Sequence, residues 1–187
     1  MRILLMGPPG AGKGTQAVVV AEILSIAHIS TGDIFRANVA GATPLGLEAK
    51  RFMDSGEYVP DSVTNAMVRD RLSHPDATDG FLLDGYPRTL AQVHELEGML
   101  RSTGTSIDKV VEITIDTDEV ITRLVKRAEE QGRSDDTEDV IRRRQEVDAE
   151  QTAPLISEYE ALGILVRVDG MGSVAEVTAR VLSALGV

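Results

Sequence analysis

The chain predicts an α/β fold: a three-layer sandwich in which a five-stranded parallel sheet is flanked by helices on both faces. Three features predict it. Five short runs rich in Val, Ile and Leu recur along the 187 residues: Ile3 to Met6, His28 to Ser30, Phe81 to Leu83, Val110 to Ile115 and Ile164 to Val168. Longer helical patterns separate them, the alternation that parallel strands joined by crossover helices require. The length fits one domain able to bury about 70% of its unfolded surface without staples.

Taken in order, the first strand runs into "GPPGAGKGTQ", Gly7 to Gln16, and a helix begins at about Gly14. Between Ser30 and Pro60 two short helical stretches, punctuated by Gly41, Pro44, Gly46 and Gly56, read as an inserted flap. Helix then continues to about Leu72, and another begins near Thr89 after the third strand. Beyond the fourth strand, helices from about Asp118 and Thr137 are separated by the polar "RAEEQGRSDD", Arg127 to Asp136, read as a short mobile loop. The last helix starts near Ser173. In such sheets ligands collect beyond the carboxyl ends of the strands, which singles out Gly7 onward, Thr31, Asp84, Asp116 and Asp169.

Composition narrows the function. With 42% hydrophobic and 3% aromatic residues, the interior is built from Val, Leu, Ile, Ala and Met. Cysteine is absent, which removes disulfides and cysteine-ligated zinc, so any metal must use carboxylates or arrive with the substrate. The apolar N-terminal run is too short for a signal peptide and no run approaches a membrane span, so the reading is cytoplasmic. A formal charge of -11 opposes nucleic-acid binding. An anionic ligand must therefore meet a local cluster of cations.

Gly7 to Thr15 lies between a strand and a helix, the context of a phosphate-binding loop. Its glycines permit positive φ and let backbone N–H groups approach phosphate oxygens. The helix N-terminus adds partial positive charge. Lys13 reaches the outer phosphates, and Thr15 offers a hydroxyl to phosphate or to an ion's water shell. One departure stands out: Gly14 separates the lysine from the hydroxyl residue that usually follows it directly.

With that loop, "STGD" at Ser30 to Asp33 and "DGYPR" at Asp84 to Arg88, the chain resembles the adenylate kinases, P-loop enzymes that move a phosphoryl group between ATP and AMP. The likeness continues through "GRSDD" at Gly132 to Asp136, "QTAPLI" at Gln151 to Ile156 and "VDG" at Val168 to Gly170. It implies a core of residues 1–29, 60–125 and 134–187, an AMP-binding insert at 30–59 and a short lid loop at 126–133. It also implies Mg2+ carried by ATP, no zinc, and a monomer acting on ATP, AMP and ADP.

The resemblance assigns residues as well. Gly10, Ala11, Gly12, Lys13, Gly14 and Thr15 bind ATP, with Arg123, Arg127 and a Gly172 carbonyl near its base. Thr31, Arg36, Glu57, Tyr58, Val59, Gly85, Tyr86, Pro87, Arg88, Gln92, Arg133 and Arg144 surround AMP. Lys13, Arg88, Arg123, Arg127, Arg133 and Arg144 carry the catalysis, and Asp84 orients magnesium's water shell without ligating the ion. Thr31 and Gln92 read the base. Uridylate and cytidylate kinases usually have alanine at the position of Thr31, which favours AMP.

Physical chemistry gives the arginines a reason to be there. The acceptor is already ionised, so catalysis is positioning and charge neutralisation. Arg142 and Arg143 follow Glu138 and Asp139 by four residues and read as solvated surface pairs. Arg144 instead has Val140, Ile141 and Val147 as helical neighbours, and a guanidinium on that side wants an anion. Arg123 and Arg127, four apart, are a like-charge pair that something negative must relieve. Asp33 and Asp135 read as caps, and Thr31 alone has the same reading. None of His28, His74 and His94 is given a role. Tyr86 replaces a common phenylalanine and adds a hydroxyl without an assigned partner. Relatives commonly carry Leu and Tyr where Gln145 and Asp148 stand; Asp148 either binds Arg144, four residues earlier, or points to water. The rival readings are a UMP or CMP kinase, a GTPase-like switch, for which no Asn-Lys-x-Asp motif exists, and a silent nucleotide-binding module.

Overall fold

A computed structural model describes residues 1–116, 119–120, 123–124 and 137–187. In order they form β1 (Arg2–Met6), α1 (Lys13–Leu24), β2 (Ala27–Ser30), α2 (Thr31–Ala40), α3 (Pro44–Ser55) and α4 (Asp61–Leu72). After a 3-10 turn at Pro75–Ala77 come β3 (Phe81–Asp84), α5 (Leu90–Arg101), β4 (Lys109–Thr114), α6 (Glu138–Gln151), α7 (Ala153–Ala161), β5 (Leu165–Asp169) and α8 (Val174–Leu185). Glu119, Val120, Arg123 and Leu124 are helical.

The five strands lie in the order β2-β3-β1-β4-β5, and every pairing is parallel. Side chains alternate across β1. Leu4 and Met6 join Ile29, Phe81, Leu83, Val93, Leu96 and Leu155 on one face. Ile3 and Leu5 join Ala17, Val20, Val111, Val177 and Val181 on the other. Each face is thus covered by helices, which is the three-layer arrangement, and the covering apolar area is the main stabilising term. β5 begins one residue later than its apolar run, because Val110 pairs with Leu165 and Thr114 with Asp169. Ile164 only lends its carbonyl to the Val110 amide, at 3.0 Å.

The segment between β2 and α4 has its own small cluster, with Phe35, Ala49 and Val59 buried. Its first helix is capped by Ser30, whose Oγ accepts from the Asp33 amide at 3.2 Å. Asp33 is therefore not the cap: its carboxylate reaches Arg36 at 2.6 Å. Thr31 is the first helical residue and does not cap either. Among the described residues no helix is long and apolar enough to cross a membrane.

Candidate active site

The loop after β1 turns on glycines at which a side chain would be strained. Gly7 has φ 132°, and a Cβ there would stand 2.4 Å from the Ile113 carbonyl oxygen. Gly12 takes the N-cap position of α1 at φ 89°, in the left-handed region, with no side chain to occupy the first-turn amides. Beneath the loop, buried Gln16 ties α1 to α8: its Nε2 donates to the Val174 carbonyl at 3.1 Å and its Oε1 accepts from Thr178 at 2.8 Å.

Lys13 folds back onto its own loop, its Nζ donating to the carbonyls of Gly7 at 2.6 Å and Pro8 at 2.9 Å. Burial pushes its ammonium down to a pKa of about 8; Asp84 and Asp148 oppose that shift, and Arg88 and Arg144 add to it. Five charged groups from three segments of the chain thus converge. Asp84, at the end of β3, faces the first turn of α1: its Oδ2 lies 3.5 Å from where a Cβ on Gly14 would be.

A cleft of about 950 Å³ opens over this loop. Gly10, Ala11, Gly12, Lys13, Gly14 and Thr15 line it. So do Arg123 and Gly172. Arg123 Nε donates to Glu119 at 2.8 Å and one terminal nitrogen donates to the Gly170 carbonyl at 3.1 Å. The negative partner that Arg123 needed is thus Glu119, one turn earlier. Arg127, Arg133, Asp135 and the loop 126–133 lie outside the described residues.

A second cavity of about 80 Å³ adjoins the first. Thr31, Glu57, Tyr58, Val59 and Gln92 line it. Thr31 Oγ1 donates to the Gly85 carbonyl at 3.0 Å. The buried Gln92 amide accepts from the Arg88 backbone N–H at 2.7 Å and donates to Asp61 Oδ1 at 2.7 Å. Tyr86 and Pro87 are buried behind this wall. The Tyr86 hydroxyl donates to Asn65 Oδ1 at 2.8 Å, the partner that the sequence left unassigned.

Arg36, Gly85, Arg88 and Arg144 line both cavities. Arg88 is held by its Nε to the Gly85 carbonyl at 2.8 Å and lies over the Tyr58 ring, 5.0 Å from its centroid. Burial works against its charge, yet Tyr58, Asp148 and Asp84 together raise its pKa above the ordinary value. Three guanidinium groups at the junction of a phosphate loop and a second pocket can hold two anions end to end and neutralise charge passing between them.

The partners of four residues were not legible in the sequence. Gln145 Nε2 donates to the Pro9 carbonyl at 3.1 Å, across 136 positions. Asp148 accepts from the Tyr58 hydroxyl at 3.4 Å, across 90. Asp61 holds both Gln92 and, at 2.9 Å, Thr89. Arg143, read as a surface pair with Asp139, reaches across to Glu57 at 2.6 Å and pairs along its own helix with Glu146 at 3.2 Å. The only signal for the first two was that both positions depart from the pattern the chain resembles.

The family model described as adenylate kinase matches residues 5–164. The chain is 64% identical to an adenylate kinase of Nocardioides sp. over 187 residues, covering 100% of this chain and 98% of that one. It is 60% identical to an adenylate kinase of Kocuria rhizophila over 98% of each chain. A third, from Thermobifida fusca, is 56% identical over 99% of this chain and 98% of its own.

Proposed function

The chain belongs to the adenylate kinase family, and from that premise we propose how its residues divide the work of transferring the terminal phosphoryl group of ATP to AMP, giving two ADP. The phosphate loop takes the ATP tail, with Lys13 exchanging its loop carbonyls for phosphate oxygens. Arg123 and Gly172 flank the donor base. Arg36, Arg88 and Arg144 receive the acceptor phosphate and stabilise the moving group, and Arg127 and Arg133 complete the charge from the lid. Holding the reactants in line contributes about 7 to 11 kcal/mol in such reactions, and no acid or base is needed. The observation that carries this reading is that Arg36, Arg88 and Arg144 line both cavities.

Mg2+ accompanies ATP in this reading. The Asp84 carboxylate faces Gly14 at the start of α1, and Asp84 and Thr15 line the same cleft; an all-oxygen donor set suits a hard cation. Asp84 and Thr15 would hold the ion's water shell; when bound, the ion supplies charge neutralisation on the outer phosphate oxygens.

Base selection follows from hydrogen-bond accounting. Gln92 spends its oxygen on Arg88 and one amide hydrogen on Asp61, leaving one N–H to donate. Adenine offers an acceptor at N1, where guanine, like uracil at N3, carries a hydrogen. Thr31 donates to Gly85, so its lone pairs are left to accept from the adenine amino group. With a charge of -11 opposing polyanions, the enzyme is read as acting on free nucleotides, as a cytoplasmic monomer without nucleic acid or membrane.

The test mixes protein and Mg-ATP with each nucleoside monophosphate and follows ADP. AMP is expected to be the preferred acceptor by at least tenfold. Preference for UMP or CMP overturns the base assignment, and ATP uptake without ADP overturns the transfer.

A further inference from the structure

Asp148 lies on α6, the helix that also carries Arg144. Its Oδ1 accepts from the Tyr58 hydroxyl at 3.4 Å, and that hydroxyl lies 3.2 Å from Thr152 Oγ1. Since the single tyrosine proton goes to the carboxylate, the buried Thr152 hydroxyl donates in turn to Tyr58. The chain Thr152 to Tyr58 to Asp148 fixes the ring, and the ring carries the Arg88 guanidinium on its face. One tyrosine therefore joins α6 to the cation assigned to the acceptor phosphate.

A guanidinium withdrawn from water needs negative charge close by, because removing it from water without a partner is costly. Asp148 and Asp84 both supply such charge, and both also favour the charged form of Lys13. When a phosphate dianion arrives at Arg88, the relationship reverses: the cation gains a better partner, and Asp148 becomes a like charge beside it.

We propose that Asp148 is a resident counter-anion of the acceptor-phosphate site, balancing Arg88 and Lys13 without acceptor and opposing the incoming phosphate, with Tyr58 as the positioning residue that holds its carboxylate there. This sets the affinity for the acceptor's phosphate and leaves recognition of its nucleoside untouched. It rests on the assignment of Arg88 to the acceptor phosphate.

The test is equilibrium binding of AMP and of adenosine to the full chain by titration calorimetry. Asp148→Asn keeps an acceptor for Tyr58 and deletes the charge. AMP is expected to bind about three- to tenfold tighter, as loss of one partly screened like charge implies, with adenosine unchanged within twofold. Unchanged or weaker AMP binding overturns the proposal, as does an equal shift for both ligands. Asp148→Ser provides the same comparison should the first variant not fold. In a Tyr58→Phe background the gain from Asp148→Asn is expected to fall by half or more; a full gain there overturns the role of Tyr58. Arg88→Met, run alongside, is expected to weaken AMP at least tenfold and spare adenosine. If it does not, the assignment of Arg88 fails, while the Asp148 comparison still decides whether that carboxylate opposes the phosphate.

Discussion

The Gln145 side-chain amide donates to the carbonyl of buried Pro9, so the helix that carries Arg144 is fastened to the loop that carries Lys13. A leucine at this position fills similar space but has no donor, and the Pro9 carbonyl then loses its partner.

Gln145→Leu is expected to loosen ATP binding about two- to tenfold, the equivalent of one lost hydrogen bond worth ~0.5–1.5 kcal/mol, with AMP binding unchanged within twofold. Separate titrations with each nucleotide measure this. An AMP loss as large as the ATP loss would show that Gln145 supports α6 in general and not the loop.

The depressed pKa of Lys13 has a signed consequence for stability. Between about 8 and the ordinary 10.5 the unfolded chain holds the Lys13 proton more firmly than the folded chain does, so this group's contribution to stability rises with pH across that window and is flat below it. Comparing wild type with Lys13→Met by denaturant unfolding at several pH values cancels other titrations. The stability of wild type relative to the variant is expected to climb from pH 8 to 10.5. A constant difference would mean that the ammonium is not desolvated.

Asp61 supports Gln92, the residue proposed to read the base. Asp61→Ala strips Gln92 Nε2 and Thr89 Oγ1 of their shared acceptor, and part-buried donors left without partners cost ~1–3 kcal/mol each at most. Thermal unfolding is expected to fall by several degrees, and the KM for AMP to rise more than the KM for ATP. Equal changes in both constants would remove Asp61 from the base pocket.

The sheet was legible because five buried strands leave five apolar runs, and the phosphate loop because its glycines are needed where the backbone turns. Boundaries shifted by a residue where ladder register, not hydrophobicity, decides them, as at β5. Local rules also misjudged partners. Spacing paired Arg143 within its helix, but the fold brings Glu57 to it. Spacing made Asp33 a cap, but Ser30 reaches the amide first. Gln145, Asp148 and Asp61 act through contacts with distant segments, and a periodic pattern along one helix carries no trace of them. Arg123, read as half of a like-charge pair that something negative must relieve, finds such a charge on Glu119, one turn earlier.

β1 lies third among five strands, bonded to β3 on one edge and β4 on the other. Its amides should be among the last to exchange with solvent, so the loop proposed to take the donor's phosphates hangs from the keel of the molecule. Any give that two nucleotides require then falls to the margins: beyond the outer strand β2, where the segment proposed to take the acceptor has its own small cluster of apolar side chains.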